Sequence, residues 1–176
     1  MPQTRSNPNS SEFVPIATDT VFLGDRSYSM KSTNGGSQEG AVEYMKNQYS
    51  NAMKMRSVKG NIVQYISFDN EAVNIYLGDG TGIVESDYDA VYEKMTPLGG
   101  TALYDAIYEN LVGQMIRLDA LKASLSREVK ALVNDNPRLI CASFAIMTDG
   151  MDNRSKHTET ECKKMINKYK NEYGGV

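Results

Sequence analysis

Apolar and polar positions along this chain switch between two periods, and the switches mark out its elements. Residues 20 to 24, TVFLG, are a short apolar run that predicts a buried strand. From Gln38 to Met55 the positions Ala41, Val42, Met45, Tyr49, Ala52 and Met53 recur at helical spacing, predicting an amphipathic helix. NIVQYISF, residues 61 to 68, is β-branched and aromatic and predicts a central strand. DNEA at 69 to 72 then turns the chain into VNIYLG, an expected antiparallel partner at the sheet edge.

The second half is mostly helical in pattern until its last apolar run. A first piece ends near Pro97 and the Gly99–Gly100 pair. A second begins after Thr101, with Leu103, Ile107, Leu111, Met115 and Leu118 on one face. The spacing continues through Leu121, Leu125, Val129 and Leu132, so the helix either runs long or breaks once. Asn134-Asp-Asn-Pro137 ends it. LICASFAIMTDG, residues 139 to 150, is the most apolar run in the chain and predicts a strand buried on both faces. Thr158 and Glu161 form a capping-box pattern ahead of a helix marked by Cys162, Met165, Ile166 and Tyr169.

Strands alternating with helices predict an α/β domain with a mostly parallel central sheet, one antiparallel edge strand and helices on both faces. The domain is expected over residues 19–176. Residues 1–18, rich in Ser, Asn, Pro and Thr, cannot bury enough apolar surface to fold alone and read as an extended polar arm.

Composition narrows the function. With 176 residues, 40% hydrophobic and 23% charged, the chain can bury a real core as one soluble domain. A net charge of −3 and no dense Lys/Arg cluster disfavour a nucleic-acid partner. No apolar run approaches a membrane span, and MPQTRSNPNSSEF lacks the core of a signal peptide. The expected setting is therefore intracellular, or assembled inside a cell. Cys141, in an apolar run, and Cys162, on a helix face, both read as core thiols. His157 is the single histidine, in the polar stretch SKHTET, and reads as a solvated loop residue. A multi-histidine zinc site is thereby ruled out. GDGTG at 78 to 82 has neither the Lys-Ser/Thr of a Walker loop nor the third glycine of a dinucleotide fingerprint, and reads as a turn.

Candidate chemistry lies where strands end. The first strand runs into Asp25-Arg-Ser27-Tyr-Ser29, a glycine-flanked Thr101 opens a helix, and the last strand ends in Thr148-Asp149-Gly150. Ligands of open α/β sheets bind beyond the carboxyl ends of the strands. In an extended loop, Asp25, Ser27 and Ser29 share one side. Hard oxygen donors without imidazole or thiolate suit Mg²⁺, Mn²⁺ or Ca²⁺ and argue against zinc or copper. An EF-hand is excluded, because Met30 and Gly36 stand where it needs Gly and Glu. Asp152 reads as a turn residue.

Asp25-x-Ser27-x-Ser29, then Gly99-Gly100-Thr101, then Thr148-Asp149-Gly150, resemble the metal-ion-dependent adhesion site (MIDAS) of von Willebrand factor A domains, in matching order over residues 20 to 173. The resemblance implies a Rossmann-like fold. It implies hydroxyl ligands from Ser27, Ser29 and Thr101, with Asp25 and Asp149 acting directly or through water. It implies binding an Asp or Glu carboxylate of a partner protein, as the intracellular branch of the family does in multiprotein assemblies. TDGMDN and the polar arm further resemble bacterial and large-DNA-virus members, which implies a virion or minor capsid context. The alternative is a structural scaffold with an idle metal site, binding through its arm and an open sheet edge. Catalysis is not expected, since no general base accompanies the site and position 27 is Ser rather than the second Asp of a phosphotransfer motif. The family's sheet has six strands in order 3-2-1-4-5-6. This chain supplies four before KNEYGGV, so the domain is expected to be incomplete at its C-terminus, with LICASFAIM as an edge.

Overall fold

The computed structural model describes residues 16–31, 46–47, 49–51, 61–78, 99–136, 139–149 and 151–173. The expected polar arm before residue 16, most of the helix expected over 38–55, the turn at 79–82 and the helical piece ending near Pro97 lie outside them.

Four strands form one sheet in the order β3-β2-β1-β4, with β1 at Ala17–Asp25, β2 at Asn61–Phe68, β3 at Ala72–Gly78 and β4 at Ile140–Met147. β1 pairs in parallel with β2 and with β4, while β3 runs antiparallel to β2. The expected architecture is therefore present. Residues 69–71 make the turn that reverses the chain between β2 and β3.

β1 is longer than the apolar run suggested, beginning at Ala17 instead of Thr20. The reason is Asp19, fully buried inside the strand. Its carboxylate takes Arg117 Nε at 2.8 Å and Nη2 at 3.0 Å. Gln114 Nε2 donates to the Asp19 carbonyl at 2.8 Å and the Ser143 carbonyl at 3.0 Å, tying β1 to β4. A buried charge survives only when it is paired and hydrogen-bonded in this way.

Both ligands come from α1 (Leu103–Ser124), which lies on the sheet face carrying Val21, Leu23, Ile66 and Phe68. Ala106, Ile107, Leu111, Met115 and Leu118 of α1 join that core, with Cys162 and Tyr169 of α3 (Glu159–Glu172). Burying each large apolar side chain contributes about 1.5–3 kcal/mol. On the opposite face Tyr65 meets Tyr49 edge-on at 5.3 Å and Phe22 in a stack at 6.2 Å.

The long helical pattern breaks once. Leu125 leaves α1 in an extended conformation, and Ser126 caps α2 (Arg127–Asp135) by accepting from Val129 N. The restart shifts the buried face, so Val133 is buried while Leu132 is 58% exposed. Asn136 ends α2, within the Asn-Asp-Asn-Pro stretch.

β4 is the sheet edge among the described residues, as expected, but it corrects two other expectations. It is not a strand buried on both faces. Only Ile140 of its eight residues is buried, and Cys141, Ser143 and Ala145 are exposed on the side away from α1. Cys141 is therefore no core thiol. Cys162 is buried as expected, and burial pushes its thiol up to about 11.

Candidate metal centre

Three loops meet at the carboxyl ends of β1 and β4. Asp25 closes β1 with its side chain fully buried, so its carboxylate must be satisfied locally. One oxygen accepts from the Ser27 amide at 2.7 Å, and the other from the Thr148 hydroxyl at 2.6 Å. The first bond curls the chain from the strand into the short 3-10 turn Tyr28–Lys31. The second clamps the end of β4 to the end of β1.

The curl brings Ser27 and Ser29 together, with their hydroxyls 3.0 Å apart. Ser29 also donates to Asp149 Oδ1 at 3.0 Å, across 120 residues of sequence. Ser27 is buried, whereas Ser29 and Asp149 face solvent. Asp25 holds the Ser27 amide, and the Ser27, Ser29 and Asp149 oxygens form one chain leading from beside it to the surface.

The loop before α1 is stitched to the same place. Gly99 accepts from Tyr28 N at 3.0 Å, and Ala102 N donates to the Asp69 carbonyl. Thr101 N donates to Asn153 Oδ1 at 2.9 Å, and the Thr101 carbonyl accepts from Asn153 N and Arg154 N. Both glycines of Gly-Gly-Thr are sterically required. Gly99 has φ +67, and a Cβ on it would meet Asn70 at 2.7 Å. A Cβ on Gly100 would lie 2.7 Å from Arg154 Cγ and Asn153 Oδ1.

Asp152 is a loop-anchoring residue. α1 has no side-chain cap of its own, and Asp152 Oδ1 and Ser155 Oγ accept instead from the amides of Tyr104 and Asp105. Asp105 completes the exchange by accepting from the amides of Lys156 and His157 and from His157 Nδ1. Burial pushes the Asp105 carboxyl up, but the His157 and Lys156 amides and the His157 ring outweigh it and hold it below its ordinary value. His157 also stacks on Tyr108 at 4.0 Å, so it is a loop-docking residue with a 29% exposed side chain, not the solvated one expected.

The donor set fits a hard divalent cation. Asp149 Oδ2 accepts no hydrogen bond among the described residues, and the Ser27 and Ser29 hydroxyls bond to each other and to Asp149 Oδ1. Thr101 is 2% exposed with both backbone groups satisfied, and its hydroxyl bonds to no other described residue, which leaves it available as a neutral oxygen donor. Asp25, with both oxygens occupied by protein donors, is set to orient the loop and supply charge from behind. Among the described residues no three His, Cys, Asp or Glu side chains cluster as ion ligands, so hydroxyls are essential to this site.

Asn70 and Asn153 support the site without having been singled out by sequence. Thr148 stands in the Thr148-Asp149-Gly150 motif, but its role as the clamp on Asp25 is seen only in the structure. Asn70 holds Gly100 N at 2.9 Å from a turn.

The chain matches no protein-family model and no curated protein. Solved structures resemble it. Proximal thread matrix protein 1 (PTMP1) from the mussel byssus is 21% identical with a TM-score of 0.51, over 89% of this chain and 35% of that one. A structure of the same protein with a zinc-occupied MIDAS motif is 21% identical with a TM-score of 0.50, at the same coverage. The vWF domain of the type V pili tip protein Mfa5 from Porphyromonas gingivalis is 18% identical over 79% of this chain and 40% of that one, with a TM-score of 0.46. This chain thus spans less than half the length of either protein. What it shares with PTMP1 is the fold, an α/β domain of the von Willebrand factor A kind.

Proposed function

We propose that the chain is a divalent-cation-dependent protein-interaction module, binding an acidic group of a partner within a multiprotein assembly. The observation that carries this reading is the Ser27–Ser29–Asp149 run of oxygens beside the buried Asp25 carboxylate, with Thr101 in the loop that packs on the same turn. When bound, a cation would supply a positive centre with room for an outside carboxylate. Ser27, Ser29 and Thr101 would offer neutral oxygens, and Asp25 and Asp149 at most balance the ion's charge. Mg²⁺, Mn²⁺ and Ca²⁺ suit this hard set, and Zn²⁺ joins them because the MIDAS of PTMP1 holds zinc.

The role is binding without catalysis. His157, the single histidine, is already committed to Asp105 and Tyr108. The setting we propose is a cell interior or a virion. No helix among the described residues is long and apolar enough to cross a membrane.

Calorimetric titration of the four cations into the wild type and Asp149→Ala tests the site. Saturable binding that disappears in the variant is the expected result. Equal heats from both proteins would sink the proposal. A second reading, a scaffold that uses the β4 edge, draws on the exposure of Cys141, Ser143, Ala145 and Ile146. It requires partner capture to survive Asp25→Ala, whereas the metal-dependent reading requires its loss with the fold retained.

A further inference from the structure

Large apolar side chains are exposed at six described positions, and three belong to the end of the sheet that carries the candidate site. Tyr28, 64% exposed, stands between Ser27 and Ser29. Met151, 88% exposed, follows Asp149 by two residues, and Ile146, 41% exposed, is in the last turn of the β4 zigzag before it. Single exposed apolar residues need no explanation, but grouped ones mark interaction surfaces.

Arg154 adds charge to the same rim. Its side chain lies across Gly100, with Cγ 2.7 Å and Nε 3.0 Å from where a Cβ would stand, so the glycine is its seat. Its backbone amide donates to the Thr101 carbonyl at 3.2 Å, which fixes it beside the candidate site. Arg26 pairs with Asp69 and Arg117 with Asp19. Arg154 is exposed and pairs with no carboxylate among the described residues. The protein carries a net charge of −3, so an acidic partner needs a local positive patch to approach at all.

We propose that Arg154 is a second anion anchor beside the cation, and that Tyr28 and Met151 form the apolar walls of the same surface. The occupant that fits is an extended acidic segment of a partner protein, with two carboxylates a few residues apart and a large apolar side chain next to one of them. One carboxylate meets the cation and the other meets the Arg154 guanidinium, whose planar fork favours carboxylates. The apolar side chain covers Tyr28 and Met151. This inference rests on the metal-dependent reading for its first anchor only.

A random dodecapeptide library displayed on phage, panned on the immobilised chain in Mn²⁺ and in EDTA, tests it. The wild type in Mn²⁺ is expected to enrich peptides with paired acidic residues and a neighbouring large apolar one. Arg154→Gln is expected to lose the second acidic preference and to bind the best wild-type peptide about two- to five-fold more weakly. Tyr28→Ser/Met151→Ser is expected to lose the apolar preference while keeping the acidic one. Thermal melts of each variant confirm the fold. An acidic consensus that Arg154→Gln leaves unchanged overturns the inference, as does enrichment without acidic pairs. Enrichment equal in EDTA but lost in Arg154→Gln supports the Arg154 anchor and sinks the metal-dependent reading instead.

Discussion

β1 carries two fully buried aspartates on one face, six positions apart, and the protein treats them differently. Asp19, near the start of the strand, receives a guanidinium in two-pronged contact and a glutamine amide. Asp25, at the end, receives one backbone amide and one hydroxyl, and no cation from any described residue. A buried carboxylate closed by arginine is a fastening between helix and sheet. A buried carboxylate left with neutral donors, beside exposed hydroxyls and a second carboxylate, still has electrostatic capacity for a positive charge from outside. Identical residues in one strand thus separate into fastening and candidate site by what the fold brings to them.

Removing the fastening is expected to cause the largest change. Arg117→Met leaves the Asp19 charge buried without its partner and should cost about 3 kcal/mol of stability. Urea unfolding measures the loss, and the double variant Asp19→Leu/Arg117→Met should recover most of it, since an apolar replacement removes the stranded charge. A loss below about 1 kcal/mol in the single variant would mean that Asp19 is hydrated or protonated, and the contrast between the two aspartates would collapse.

The opposite behaviour is expected at Asp25. Without cation, Asp25→Asn should cost only about 1 kcal/mol, the scale of a hydrogen bond. With cation at a hundred times its dissociation constant, the wild type should gain about 2.7 kcal/mol and the variant nothing. Thermal melts with and without Mg²⁺, Mn²⁺, Ca²⁺ or Zn²⁺ read this directly. If the wild type gains nothing from any of the four, Asp25 is a fastening too, made of hydroxyls.

Most of this contrast was hidden in the sequence for a physical reason. The site announces itself because Asp25, Ser27 and Ser29 are neighbours, and because Thr101 and Asp149 sit at element boundaries that glycine and apolar periodicity mark. Asp19 is silent, because its partner Arg117 is 98 residues away and only the packing of α1 on the sheet joins them. The apolar run marks only residues 20 to 24, so β1 extends three residues beyond its N-terminal end. Periodicity misled in two other places. The apolar content of LICASFAIM cannot say whether a neighbouring layer covers both faces, so Cys141 was misplaced. Leu132 lost its place on the buried face because Ser126 restarted the helix out of phase. His157 was misread because its partners Asp105 and Tyr108 lie some 50 positions back along the chain.

Asp105 stands between the two extremes and gives the comparison its finest test. Like Asp25 it rests on backbone amides, and like Asp19 it faces a side chain that can carry positive charge, here His157. Its carboxyl is held below the ordinary value of 3.8 in the folded protein. A depressed folded value means that the unfolded chain takes up its proton first as pH falls. The contribution of Asp105 is therefore complete above about pH 4 and disappears as pH drops through the lower folded value. Asp105→Asn should cost about 1 kcal/mol at pH 7, and that cost should shrink as pH falls below about 4 toward the folded value. Urea unfolding of both proteins from pH 7 to pH 2 measures it, and the two stability curves should converge on the acid side. Parallel curves would mean that Asp105 holds the 152–158 loop by shape alone. The ordering of the three carboxylates by the positive charge facing them would then fail at its middle member.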